Sequence, residues 1–275
     1  MVPLTISDLQ ETAKVIRRNS IEAIYKAGSG HPGGSLSATD ILVSLFFGGV
    51  LNLDKKDLKS EKRDRFILSC GHVCPSFYAV LARLGFFNED LLGNLRDLGS
   101  SLQGHPSSVY ADFIETSTGS LGQGLSVGAG MALGIKFKTP SSKCKIVVLS
   151  SDGEQNEGSH WEAVMQSAFH KLGNLCLIID KNRMQVGGET KKVLDMDSLS
   201  AKYKSFDWEV YEADGHDFRS LLSVFSRFNE AKDKPKVVIC KTVRGKGVSF
   251  MEDNLKYHSC TLSEEEYRKA MEELC

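Results

Sequence analysis

Residues 145–184 read KIVVLSSDGEQNEGSHWEAVMQSAFHKLGNLCLIIDKNRM, and the order of patterns inside them sets the fold class. A β-branched, apolar run of strand length occupies 145–149, and a second occupies 175–179. Between the two, Trp161, Val164, Met165, Ala168, Phe169 and Leu172 recur at helical i, i+3/i+4 spacing. Strand, loop, helix, strand predicts a right-handed crossover joining two parallel strands. Asp152 follows the carboxyl end of the first strand, and Asp180 to Asn182 sit at the same end of the second. Open parallel sheets bind ligands at that edge.

Outward from this unit, the pattern repeats. A helix over 220–229 leads into a strand over 237–241. Towards the start, Leu9, Ala13, Ile16, Ile21 and Ile24 give helical spacing over 6–26, with Ser7 and Gln10 as a capping box. A glycine-rich break at 28–34 precedes a helix at 38–47, and a short strand at 66–69 precedes a helix at 76–84. No internal repeat, low-complexity tract or linker interrupts the chain. The economical reading is one α/β domain over 1–275, a doubly wound, mostly parallel sheet flanked by helices.

Composition narrows the function classes. The 275 residues carry 34 Lys+Arg against 35 Asp+Glu, a net charge of -1, which favours neither nucleic acid nor an anionic membrane surface. Hydrophobic residues make up 41%, enough for a real core. No apolar run nears the roughly 18 residues of a membrane span, and residues 1–10 lack a secretory pattern. Seven scattered cysteines suit a reducing, cytoplasmic setting, and Cys70 with Cys74 lack the spacing of a zinc pair.

Three constellations could carry chemistry. The run Gly119-Ser-Leu-Gly-Gln-Gly124, continuing to Gly128 and Gly130, offers bare backbone to a phosphate, or simply a tight turn into a closely packed helix. It lacks the preceding strand of a dinucleotide fingerprint, which disfavours a nicotinamide dehydrogenase. Asp152 and Asn182 at neighbouring strand ends are hard oxygen donors for a magnesium ion; they are equally common turn residues. His31, His72, His105 and His258 occupy loop-like contexts where core packing does not explain a ring. His160 and His170 read as helix-surface or packing residues, and His216 has a weaker context.

Together these strings resemble the transketolase type of thiamine-diphosphate enzyme: SGHPGG at 29–34, SCGH at 69–72, QGHP at 103–106, TGSLGQG at 118–124, Asp152-Gly153 with Asn182, and KTVRGKG at 241–247. The resemblance covers nearly the whole chain in order. It implies a thiamine-diphosphate-binding fold of the diphosphate-binding kind. The implied cofactors are thiamine diphosphate and magnesium, or another divalent cation such as calcium or manganese. The implied metal ligands are Asp152, Asn182 and the main-chain oxygen of Met184. His72, Gly119, Ser120, Leu121, Gly153, Asn182 and His258 would contact the cofactor. His31, His105 and His258 would hold donor hydroxyls and move protons, and Glu157 and Glu162 would lie at a subunit interface, or else on an exposed helix face.

The implied reaction moves a two-carbon ketol unit between sugar phosphates. The alternatives are a deoxyxylulose-phosphate-synthase-like or sulfosugar ketol transferase and a non-catalytic cofactor-binding subunit. In this family the glutamate that activates the aminopyrimidine belongs to a pyrimidine-binding domain with no counterpart in 1–275. The expected partner is therefore a C-terminal subunit carrying that glutamate, in a heterotetramer. Four positions depart from the family pattern: Ser151 replaces a glycine, Lys181 an asparagine, Arg244 a lysine, and Ser259 the glycine after the last histidine.

Overall fold

Five parallel strands form the central sheet. In the computed structural model, which describes residues 2–230 and 233–275, they are β1 (Arg65–Leu68), β2 (Ile146–Ser151), β3 (Leu175–Lys181), β6 (Glu209–Asp214) and β7 (Lys236–Lys241). Their order is β1-β2-β3-β7-β6. A small antiparallel hairpin, β4 (Met184–Gln185) with β5 (Gly188–Glu189), follows β3.

Helices α1 (Ile6–Lys26), α2 (Pro32–Phe47), α3 (Cys74–Arg83) and α8 (Phe218–Phe225) pack on one face. Helices α4 (Gly124–Lys138), α5 (Gly158–Phe169) and α7 (Leu199–Ser205) pack on the other, with α6 (Thr190–Val193) a single turn after the hairpin. Helix α9 (Glu264–Glu273) closes against α1, where Tyr25 and Tyr267 stack at 4.2 Å. Handedness explains the two layers. The chain steps one way from β1 through β3 and the other way from β6 to β7, so right-handed crossovers put α4 and α5 opposite α8.

Side-chain alternation splits the core in two. Val147, Leu149, Cys176, Ile178, Val238 and Cys240 face the α1–α2–α3 layer; Ile146, Val148, Leu175, Leu177, Ile179, Val237 and Ile239 face the other. All are at most 3% exposed, which is why these strands read as unbroken apolar runs. Truncating one of them, as in Leu177→Ala, costs about 2–5 kcal/mol.

Several boundaries differ from those expected, each for a local reason. The capping box of α1 uses Thr5 and Asp8, not Ser7 and Gln10. The glycine-rich break is largely helix: Pro32 opens α2 at its first position, where a missing N–H costs nothing. Gly33 and Gly34 lie in the first turn because a Cβ would meet Tyr257 O at 2.8 Å and Val73 Cγ1 at 2.6 Å. Strand β2 runs on through Ser150 and Ser151 because β3 supplies backbone partners as far as Asp180. The expected helix over 220–229 starts at Phe218, capped by Asp217, and tightens into a 3-10 turn over Ser226–Asn229. Strand β6 has no counterpart in the sequence pattern; it is an edge strand of mixed polar character.

No helix among the described residues is long and apolar enough to cross a membrane. Cys70 and Cys74 are buried and turn their sulfurs to carbonyls, Cys70 to Leu149 O and Cys74 to Gly104 O at 3.3 Å.

Candidate active site

The ends of β2, β3 and β7 line up because register pairs Ser151 with Asp180 and Lys181 with Lys241. The chain leaves β2 at Asp152, 2% exposed, whose Oδ1 accepts from Gly153 N at 2.9 Å and Oδ2 from Arg183 N at 2.5 Å. It leaves β3 at Asn182, 4% exposed, whose Oδ1 accepts from Met184 N at 3.1 Å. Arg183 takes a positive φ of 64° to make that corner. Ser151, where the family pattern has glycine, is a strand residue without positive φ, so a side chain is accommodated there.

Two further carboxylates lie buried beneath this corner. Asp180 accepts from Ser37 Oγ at 2.6 Å, from Asn182 Nδ2 at 3.2 Å and from Thr242 Oγ1. Glu154 accepts from Ser69 Oγ, from Gly122 N at 2.8 Å and from Ser151 N at 3.4 Å, tying the glycine loop to two strands. Burial, followed by the neighbouring Asp180, pushes Asp152 up to about 7. Burial likewise raises Asp180 and Glu154. The cation that faces Asp152 and Asp180 is Arg244, 2% exposed, whose own affinity for a proton is reduced by burial. Its Nη2 meets His258 Nδ1, while Nε and Nη1 have no hydrogen-bond partner among the described residues.

Four histidines surround the other side of Arg244. Ring centres lie 5.2 Å apart for His31 and His72, 6.2 Å for His31 and His105, 5.6 Å for His31 and His258, and 5.8 Å for His72 and His258. Backbone contacts assemble the loops that carry them. Gly30 and Cys260 exchange hydrogen bonds of 3.2 and 3.0 Å, and Thr118 N donates to Pro106 O at 3.1 Å. Gly119, at φ +145°, lies so close to His105 that a Cβ would touch its ring at 3.0 Å. Gly71 similarly lets the His72 turn approach Gly119 N. Burial and the surrounding positive groups lower His31 and His258 to about 4, and His72 well below its usual value. His105, with one edge open to solvent, is lowered by partial desolvation and then by Arg96. All four rings are thus neutral near pH 7, with lone pairs for hydroxyl donors.

Hard oxygen donors at two strand ends, a buried guanidinium and a cluster of neutral histidines thus lie together at the carboxyl edge of the sheet. Residues 9–275 match the family described as transketolase, thiamine diphosphate binding domain. The chain belongs to the transketolase family. One subunit of the apulose-4-phosphate transketolase from Actinobacillus succinogenes is 42% identical over 273 residues, covering 98% of this chain and 97% of that one. The 6-deoxy-6-sulfo-D-fructose transketolase subunit SqwG from Clostridium sp. is 38% identical, covering 97% and 96%. Human transketolase is 37% identical over 97% of this chain, but only 42% of its own length is covered. The crystal structure of transketolase from Campylobacter jejuni superposes with a TM-score of 0.91 at 31% identity, over 98% of this chain and 43% of that one. This chain therefore spans less than half of the solved transketolases it resembles.

Within this transketolase domain, the expected residues fall into two groups. Asp152, Gly153, Asn182, Met184, Gly119, His31, His72, His105 and His258 converge, with Ser120 and Leu121 on the same glycine turn. Glu157 and Glu162 do not; both are exposed, at the N-terminus and on the outer side of α5. His160 is fully buried packing, bonded to Tyr203 OH at 2.6 Å. Sequence reasoning misses Arg96, and it places Asp180 and Glu154 near the strand ends without giving either a role. Arg96 Nη1 reaches Ser29 Oγ at 3.0 Å and packs on Gly104, between two histidine loops. Nothing in its sequence neighbourhood signals that position, whereas Glu154 is visible two residues after Asp152.

Proposed function

We propose that this chain is the diphosphate-binding subunit of a two-chain transketolase, which moves a two-carbon ketol unit from a ketose phosphate to an aldose phosphate. The observation that carries the reading is the convergence of four neutral histidines with the ends of β2, β3 and β7 around one buried, half-partnered arginine. The donor set fits thiamine diphosphate. Arg244 holds two buried nitrogens without hydrogen-bond partners among the described residues beside the Asp152–Asp180 corner, donors that an anion could use, and Gly119 and Gly153 add no side chain where the main chain would meet it. A divalent cation (magnesium, calcium or manganese) fits as well. Among the described residues no three His, Cys, Asp or Glu side chains converge as a metal set. The oxygens on offer are therefore the Asp152 carboxylate, the Asn182 amide and the main chain of Met184, a hard set suited to such an ion. Burial of Asp152 beside Asp180 adds to the demand for positive charge there.

When bound, thiamine diphosphate supplies the carbanion and electron sink that cleavage beside a carbonyl needs. This chain's residues hold it and handle protons. Arg244, Asn182, Gly153 and His72 grip the anionic end, and Gly119, Ser120 and Leu121 line the cofactor beside it. His31, His105 and His258 accept hydrogen bonds from donor hydroxyls; a neutral imidazole takes the hydroxyl proton as the bond breaks and returns it to the product.

A second chain is part of the same proposal. Relatives of this length carry the name subunit, which supports a partner bearing the pyrimidine-binding domain and its activating glutamate. Two of each chain would form a heterotetramer, with exposed Glu157 and Glu162 at the interface. All seven cysteines are free, in keeping with the cytoplasm. The test is purification of the tagged chain with its companions, followed by assay with thiamine diphosphate, magnesium and a panel of ketose donors that includes apulose 4-phosphate and sulfofructose. Ketol transfer together with a second chain is the expected result. Thiamine-diphosphate binding without turnover on any donor, with the second chain present, would favour a non-catalytic role.

A further inference from the structure

His216 is a half-buried histidine, its side chain 15% exposed, that the chemistry above does not use, and its hydrogen bonds fix one tautomer. Val243 N–H donates to its Nε2 at 2.8 Å, so that nitrogen carries a lone pair. Nδ1 therefore bears the hydrogen and donates to Asp40 Oδ2 at 2.7 Å. Asp40 is 5% exposed and also accepts from Arg17 Nη2 at 2.6 Å. Burial works against its charge, but Arg17 and His216 hold its carboxyl below the usual range. The dyad thus links α1, α2 and the β6–α8 turn to residue 243.

The residue that follows is Arg244. Before residue 244 its loop is held by Thr242 N on Lys181 O at 3.2 Å, Thr242 Oγ1 on Asp180 and Val243 N on His216; from 244 onward Asp253 N holds Arg244 O at 3.0 Å, Gly33 O holds Gly245 N at 2.9 Å and Glu252 Oε1 holds Gly247 N at 3.0 Å. Gly215 lets the His216 turn come this close, since a Cβ there would run into the Thr242 side chain. Its amide donates to Lys241 O at 2.8 Å. A buried guanidinium with unpartnered nitrogens has no hydrogen bonds of its own to fix its aim, except the one to His258. Its main chain must do so.

We propose that His216, locked by Asp40 in the Nδ1–H form, is the positioning residue that sets the 242–247 loop and so aims Arg244 at the anionic end of the cofactor. The inference rests on the reading that Arg244 meets that anion. It also separates the two ends of the imidazole: the acceptor facing Val243 is the functional end, and the donor facing Asp40 serves to orient it. Glutamine can bring an amide oxygen close to the Nε2 position, whereas asparagine reaches only as far as Nδ1.

The test measures thiamine-diphosphate affinity by calorimetry on the assembled enzyme, alongside kcat at saturating cofactor and the melting temperature without cofactor. R244M is expected to weaken binding on the order of ten- to a hundredfold, the loss of charge-assisted hydrogen bonds. H216N is expected to weaken it on the order of tenfold, the scale for groups that orient a ligand-binding residue. H216Q should stay within about threefold of the wild type, and H216N should add little in the R244M background. Saturated kcat should change little in H216N. Rescue by asparagine but not glutamine would overturn the proposal, as would equal effects of H216N with and without Arg244, or a lowered melting temperature with unchanged affinity. If H216N does not fold, H216Q decides alone: weakening as large as that of R244M refutes the proposal. No effect of R244M would refute the anion reading itself, and the role of His216 with it.

Discussion

Asp64, at the amino end of β1, is 1% exposed and fully served: it accepts from Asn52 N at 2.8 Å and Lys145 N at 2.7 Å, with Lys145 Nζ 3.0 Å away. At the carboxyl ends of β2 and β3, Asp152 and Asp180 are equally buried, yet their partners are amides and hydroxyls, and the cation facing them is Arg244. The first arrangement is complete within the chain. The second leaves negative charge under-compensated and a guanidinium half-used, which is sensible only where another charged species enters. Burial alone does not separate a structural carboxylate from a functional one; the identity of its partners does.

Neutralising each carboxylate tests that contrast with the largest expected effect. Asp64→Asn leaves the Lys145 ammonium with neutral partners only among the described residues, such as Asn229 Oδ1 at 3.1 Å, and should cost up to about 3 kcal/mol in denaturant unfolding, with thiamine-diphosphate affinity unchanged. Asp152→Asn removes a buried charge beside Asp180 but keeps only one of the two acceptors that Gly153 N and Arg183 N use. The two effects oppose each other, and the unfolding midpoint of the free protein should stay close to the wild type. The variant should raise the thiamine-diphosphate and magnesium requirement by roughly a hundredfold. If both variants lost stability equally and kept affinity, the two ends of the sheet would not differ as described.

A second contrast lies inside the site, between strand ends proposed to hold the cofactor and histidines proposed to move protons. His105→Ala should lower kcat by roughly a hundredfold or more, the usual scale for a lost acid–base group, with cofactor affinity within about threefold. The readout is steady-state kinetics at varied thiamine diphosphate. Full turnover in this variant would remove His105 from the chemistry.

The two kinds of residue also differ in how legible they are. The ends of β2 and β3 can be read because apolar strands and a periodic helix bracket Asp152 and Asn182, and a parallel sheet makes their edges coincide. The histidines are legible one by one through their glycine neighbours, but their 5–6 Å spacing comes from loop contacts such as Gly30 with Cys260. Pro32 suits a helix start, yet the glycines after it suggest a turn until Arg244 and Val73 occupy the space their side chains would need. Edge strand β6 has too mixed a pattern to be told from a loop. Arg96 and His216 owe their importance to neighbours distant in sequence, such as Ser29 and Asp40, which no local pattern contains; Asp180 is legible by its place at the strand end, but not its bond to Ser37.

Acid should unsettle the histidine side of the site. His31 and His258 have folded values near 4 against 6.5 for a free imidazole, so the folded protein binds fewer protons than the unfolded chain between those values. Their contribution is present above pH 6.5 and is lost as pH falls towards 4. The slope is at most about 1.4 kcal/mol per pH unit for each group, and less for His258, which solvent still reaches. Urea midpoints at pH 7, 5.5 and 4.5 should therefore fall, and His31→Asn should flatten the trend. An unchanged slope in that variant would assign the acid sensitivity elsewhere.

Ser151→Gly should have the smallest effect, and it bears on whether the strand ends are fixed by register or by residue type. Where the family pattern has glycine, a serine would be expected to disturb the corner that holds Asp152. Ser151 instead finishes β2 opposite Asp180 with an ordinary φ, and its carbonyl accepts from Gln155 Nε2 at 3.0 Å. Sheet pairing, not the absence of a side chain, sets the direction in which the chain leaves the strand. The glycine variant should keep its cofactor requirement within about twofold and lose about 0.5–1 kcal/mol, the entropy penalty of glycine in a strand. A tenfold gain in affinity would mean that the serine strains the corner, and that the contrast between the two ends of the sheet depends on this side chain as well as on charge.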